Sequence, residues 1–176
     1  VDYQFNQITN GVNKVVKVEG QCILRAMGAV FTNGFGIQLP VNSSKVSSFT
    51  GSQLIGSNIE LLPSGIEAGQ TKATLILFDD GFKLLPGSAG SEFGVNTRIG
   101  DPYQTPYTFS LDVTFTSPIA LSEIGVPPYN PFIFIKNVRA HEVHLINEAP
   151  TDKADMSLFG TYNDNSIPAN GRYYAT

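Results

Sequence analysis

The sequence predicts an all-β fold: an antiparallel β-sandwich of jelly-roll or Greek-key type with one or two short helical turns. Three observations carry this expectation. Apolar residues recur at every second position within Val12–Ala29 and again within Tyr107–Phe115, the period of a strand with one face in water. Pro127–Pro150 reads PPYNPFIFIKNVRAHEVHLINEAP, two apolar runs around the polar link Lys136–Arg139, which is a hairpin pattern. Turn residues punctuate the whole chain, with 17 Gly and 11 Pro, and leave little room for long helices.

Taken in order, residues 1–6 form an edge strand. In Val12–Ala29, Val16, Val18, Cys22, Leu24 and Ala26 share one face and Lys17, Glu19, Gln21 and Arg25 the other, with Gly20 marking a bulge or bend. Thr32-Asn33-Gly34 reads as a turn, and Phe35–Leu39 as a strand ended by Pro40. Residues 41–57 contain Val46, Phe49, Leu54 and Ile55 among serines and glycines, which fits short edge strands or an ordered loop. Asn58–Leu62 and Lys72–Phe78 read as strands, the second running into the turn Asp79-Asp80-Gly81.

Residues 81–106 show no steady period, and a loop of that length in a compact domain is functional or mobile. Tyr107, Phe109, Leu111, Val113 and Phe115 then alternate with Ser110, Asp112 and Thr114. Ser117-Pro118 suits the start of a helical turn. Strands Phe132–Lys136 and Arg139–Ile146 follow, then a second helical turn in Thr151–Phe159 capped by Thr151 or Asp152, and a turn-rich tail. About nine short strands and almost no helix make a sandwich the natural closure.

Composition narrows the function classes. A chain of 176 residues with 41% hydrophobic and 15% charged residues reads as one folded domain, 1–176. No apolar run approaches the ~20 residues of a membrane span. Net charge is −4, and the 11 basic residues never cluster. That argues against nucleic acid and against an anionic membrane surface as partners. The single cysteine, Cys22, forbids an intrachain disulfide and reads as a buried small hydrophobe. The start at Val1-Asp2-Tyr3 reads as processed or trimmed.

Several groups carry side chains of chemical interest. His141 and His144 stand three apart on a strand, hence on opposite faces, unlike the i, i+4 helical pair of a zincin. Asp79, Asp80 and Asp101 suggest a carboxylate pair, but Asp-Gly after a strand is ordinary turn chemistry. A hydrolase on a jelly-roll scaffold would need two carboxylates facing each other, drawn from Asp79, Asp80, Glu92, Asp101, Asp112 and Glu142. Tyr162-Asn163-Asp164-Asn165-Ser166 offers oxygen ligands suited to calcium, with Asp2 joining if the termini meet. In the 81–106 loop, Phe93, Arg98, Asp101, Tyr103, Gln104 and Tyr107 combine rings with planar polar groups, a set that can bind a glycan or a protein. Asn33-Gly34-Phe35-Gly36 lacks the following helix of a dinucleotide site and reads as turn chemistry.

The segments VDYQFN, ILRAMGAVFTNGFGIQLP, PYNPFIFI, HEVHL and LFGTYNDNSIPANGRYY, in that order, resemble the LruC domain family. Ala29–Pro40 matches its A-x-F-x-N-G-F-G-[FI]-Q-L-P strand, and Val126–Tyr174 matches its later signature. The resemblance implies an exported or surface domain of bacteria whose molecular function is largely uncharacterised. Family members carry an acidic stretch of calcium-loop character before the VDY segment, of which this chain retains Asp2, and an LPWA segment beyond the tail. The expectation is therefore a non-enzymatic extracellular or cell-surface domain, part of a larger surface protein. It would bind a glycan or protein through its loops or act in adhesion, with calcium as a stabilising ion. A carbohydrate-active hydrolase is the alternative.

Overall fold

Eight strands form two four-stranded sheets in a computed structural model that describes residues 1–56, 58–87, 94–161 and 166–174. The first sheet runs β1 (Asp2–Thr9), β2 (Lys14–Leu24), β6 (Tyr107–Ala120), β4 (Val46–Thr50). The second runs β5 (Lys72–Phe78), β3 (Asn33–Asn42), β7 (Asn130–Ile135), β8 (Val138–His144). Every pairing is antiparallel. Only β1–β2 and β7–β8 are hairpins of one sheet; the other connections carry the chain from one layer to the other. The protein is thus an antiparallel β-sandwich, as its alternation predicts.

The main core lies between the sheets. Val18, Cys22 and Leu24 of β2 and Phe109, Leu111, Val113 and Phe115 of β6 face Phe35, Ile37, Leu39 and Val41 of β3 and Ala73, Leu75 and Leu77 of β5. Burial pushes the Cys22 thiol up to about 12, so this cysteine packs as a hydrophobe.

Local detail departs from the sequence reading in several places. Val15, not Val16, points inward at the start of β2, because the register slips between Val15 and Lys17. The bulge sits there and not at Gly20, which pairs regularly with Phe5 and Leu111. Asn58–Leu62 is not a strand; its one ladder contact is an isolated bridge from Leu61 to Glu67. β6 runs on through Ser117 to Ala120, which caps the short helix α2 (Leu121–Ile124). Helix α1 (Gly81–Leu84) starts at Asp80, whose side chain accepts from the Lys83 amide. In the tail Asp155, rather than Thr151 or Asp152, caps the 3-10 turn Met156–Leu158.

Gly34 and Gly36 are the most informative correction. Neither has positive φ, and both lie within β3. Their faces point away from the main core, toward a second apolar cluster of Ile76, Phe132 and Phe134 with Leu54 and Ile59 packed on it. A Cβ on Gly34 would stand 2.2 Å from Phe134 Cζ, and one on Gly36 2.4 Å from Phe132 Cζ. The glycines make room for two phenyl rings that lie across the strand. The second sheet is therefore packed on both faces, its outer one under Leu54, Ile59, Thr151 and Tyr174 among others.

Gly36→Ala should cost about 1–3 kcal/mol, because buried Phe132 has no room to yield. Gly11→Ala, where an added Cβ meets nothing within 4 Å, should stay within about 0.5 kcal/mol. Urea denaturation of both variants measures this contrast; equal costs would contradict the ring-over-glycine account.

Candidate functional site

The densest polar constellation lies on the outer face of the second sheet, around Arg139. A register shift between Phe134 and Ile135 in the β7–β8 hairpin puts Arg139 and Glu142, three apart, on the same side. The guanidinium lies 4.8 Å from the Phe132 ring centre and 5.0 Å from that of Phe134. It donates from Nε and Nη2 to both oxygens of Glu67, each at 2.8 Å, a bidentate fork. Its Nη1 donates to Glu142. Glu67 also accepts from Gln70 Nε2 at 2.7 Å.

Glu142 is saturated. Oε1 accepts from the Thr151 amide at 2.6 Å and faces His144 Nε2 at 3.0 Å. Oε2 accepts from Thr151 Oγ1 at 2.8 Å and from Arg139. Four partners fill the acceptor positions of a carboxylate, leaving none for a substrate or a cation. His144 is stacked between Phe132 and Tyr174, with ring centres 4.8 and 5.1 Å away, and its Nδ1 contacts Asn130. Burial pushes the Glu142 carboxyl up, but the bonds to His144 and Arg139 outweigh it and hold the group below the usual carboxylate range. A hollow of about 440 Å³ lined by Asn58, Glu67, Lys136, Arg139 and Lys153 opens beside the cluster. Chemically the arrangement is a clamp: one cation and two carboxylates joining β8, the 53–71 segment and the tail.

The residues singled out by sequence occupy other places. His141 is half-buried and His144 buried, on opposite faces of β8. Among the described residues, no three His, Cys, Asp or Glu side chains are grouped to hold a metal. Asp2 is paired with Arg25, while Asn163, Asp164 and Asn165 lie outside the described residues, as do Glu92 and Phe93. Asp79 and Asp80 are buried at the end of β5, Asp80 held by Lys136 Nζ at 2.8 Å. Asp112 pairs with Lys17 at 2.9 Å on the outer face of the first sheet. Asp79, Asp80, Asp112 and Glu142 thus sit in three separate parts of the fold.

Residues 94–106 are organised by a residue that sequence reasoning missed. Asn96 adopts φ 56°; its Nδ2 donates to the carbonyls of Arg25 and Gln104, and its Oδ1 accepts from the Gln104 amide. Met27 and Val95 exchange backbone bonds of 3.0 and 2.6 Å. Residues 25–32 and 94–106 are thereby locked into one rim. Arg98 and Tyr103 are exposed there and Asp101 half-buried. Tyr107 instead turns inward, packing on the core and donating to Gln53 Oε1 at 3.0 Å. An Asn followed by an aromatic-rich loop was the only sequence signal for this frame.

The Glu142 shift has a pH consequence. An unfolded glutamate titrates near ~4.3, and the folded one lower. Its contribution is complete above the ordinary value and drains away as pH falls from there through the folded value. Urea midpoints from pH 7 to pH 3 should show this acid loss in the wild type and a shallower one in Glu142→Gln, which starts less stable at pH 7. Parallel profiles would contradict the clamp.

Residues 13–176 match a family model described as a domain of unknown function, DUF4842. No curated protein and no solved structure matches the chain. With the model covering all but the first strand and its turn, the chain belongs to the DUF4842 family.

Proposed function

We propose that this domain is a non-enzymatic exported or cell-surface module that binds a ligand through the rim formed by residues 25–32 and 94–106. The observation that carries the reading is the exposure of large apolar side chains on two loops bonded to each other at Met27–Val95 and through Asn96. Val30, Phe31, Ile99 and Tyr103 are 81%, 61%, 108% and 72% exposed, on two loops tied by the Met27–Val95 bridge and by Asn96. Apolar groups held in water on a fixed backbone are the signature of a recognition surface, and a prelocked frame lowers the ordering cost of binding.

The resemblance to LruC domains supports an extracellular bacterial setting and a place within a larger surface protein. The saturation of Glu142 supports a binding role over hydrolysis at that position. A stabilising calcium would draw on the oxygen-bearing side chains of Asn163, Asp164 and Asn165, without Asp2, whose carboxylate is held by Arg25. Rings such as Phe31 and Tyr103 suit either a sugar face or a protein surface.

Beads coated with the domain, passed over immobilised glycans and matrix-protein films with and without calcium, test the reading. The wild type should be retained. The double variant Ile99→Ser/Tyr103→Ser should lose retention at least tenfold while its melting temperature stays within about 2 °C, as expected for surface changes. No retention of the wild type on any film, or equal retention of the variant, would sink it.

A further inference from the structure

The second sheet overhangs the first. At the Asp2 end of β1, Tyr3 packs on Phe35 of β3, with ring centres 5.8 Å apart, and Phe35 is 6% exposed. Phe35 pairs with Ile133 of β7, which pairs with Val143 of β8. Residues opposite one another in a ladder share a face. Ile133 and Val143 therefore face the same way as Phe35, yet they are 44% and 54% exposed, and Leu145 beyond them is 51% exposed. β1 is the last strand of its sheet, so the cover stops there and leaves an apolar shelf.

The same place has an open backbone edge. Among the described residues β1 pairs only with β2. Its far end is closed, because Gln7 donates to the Gly125 carbonyl and the Tyr129 hydroxyl at 2.6 and 3.0 Å. Among the described residues Asp2–Asn6 has no such cover, and the segment carries no lysine, proline or bulge of the kind that blunts an edge. β8 differs: its outer edge is bonded by the tail where Asp155 N donates to Ala140 O at 3.0 Å.

From these two features we infer that β1 accepts an extended strand from a partner protein. One strand cures both deficits: its backbone pairs with Asp2–Asn6, and its alternate side chains lie over Ile133 and Val143. The partner segment is about five residues long, apolar at every second position and polar between, the polar side continuing the row of Asp2, Gln4 and Asn6. A second copy of this chain does not fit. Two sandwiches joined edge to edge at β1 would drive their overhanging β7–β8 hairpins into each other. The shelf is two strands wide, on the order of 10 Å, enough for a strand but not for a sandwich.

The test uses an acetylated peptide, Lys-Thr-Val-Thr-Val-Thr-Val-Thr-Lys, added free and, in a second form, joined to Val1 through a Gly/Ser linker that raises its effective concentration to about millimolar. Amide exchange at Asp2–Asn6 should slow at least tenfold in the tethered form. The free peptide should shift the methyl resonances of Ile133 and Val143. Replacing the central Val of the peptide by Pro should abolish both effects, and Val143→Lys should weaken them at least fivefold. Should that variant fold poorly, Val143→Thr replaces it, with at least a twofold weakening expected. Unchanged exchange in the tethered form, equal action of the Pro peptide, or a concentration-dependent dimer that Val143→Lys dissolves would each overturn the inference.

Discussion

The guanidinium of Arg139 fixes how the second sheet is covered. It lies over Phe132 and Phe134, forks onto Glu67 and reaches Glu142. Taking such ions from water costs several kcal/mol each, recovered only when geometry and hydrogen bonding are complete. Here they are complete. Glu142 has four partners, and Glu67 has the fork and Gln70. Losing Arg139 would leave two buried carboxylates without their shared guanidinium, and losing either carboxylate would leave buried N–H donors without an acceptor. The clamp therefore makes the outer cover conditional on one register of β7 against β8, and on one path for the 53–71 segment and the tail.

That cover shapes what remains exposed. Because Phe132 and Phe134 turn outward to be buried beneath it, the intervening Ile133 turns toward the interlayer side, where the first sheet has already ended. The protein thus buries the face of β7 that a simple sandwich would leave in water, and leaves in water part of the face that it would bury. The rim of residues 25–32 and 94–106 meets this arrangement at the β7–β8 turn, where Lys136 N donates to the Thr32 carbonyl at 2.9 Å. Asn96 and the Met27–Val95 bridge hold it at the end of β2, so the two exposed apolar surfaces have different supports.

The layers were legible because alternation is a local property. Val18, Cys22 and Leu24 in β2 and the five apolar positions of β6 needed no tertiary information to be placed. The glycines of β3 were misread because a turn and a seat for a phenyl ring ask for the same residue, and the rings lie about 100 positions away. The Val15 bulge was hidden by a run of two valines, either of which could face inward. Asn58–Leu62 has strand composition but lies where the chain crosses between layers. Glu142 and His144, two apart on a strand, could be placed on one face from sequence. The partner of Arg139, Glu67, 72 residues away, could not.

A double-mutant cycle on Arg139 and Glu67 tests the central claim most directly. Arg139→Met and Glu67→Leu should each cost about 3–5 kcal/mol in urea denaturation, since the first strands two buried carboxylates and the second leaves Nε and Nη2 of a buried guanidinium without acceptors. The double variant should be well short of their sum, with a coupling of about 1–3 kcal/mol. Additive costs, or single variants as stable as the wild type, would show that the outer cover does not depend on this ion pair.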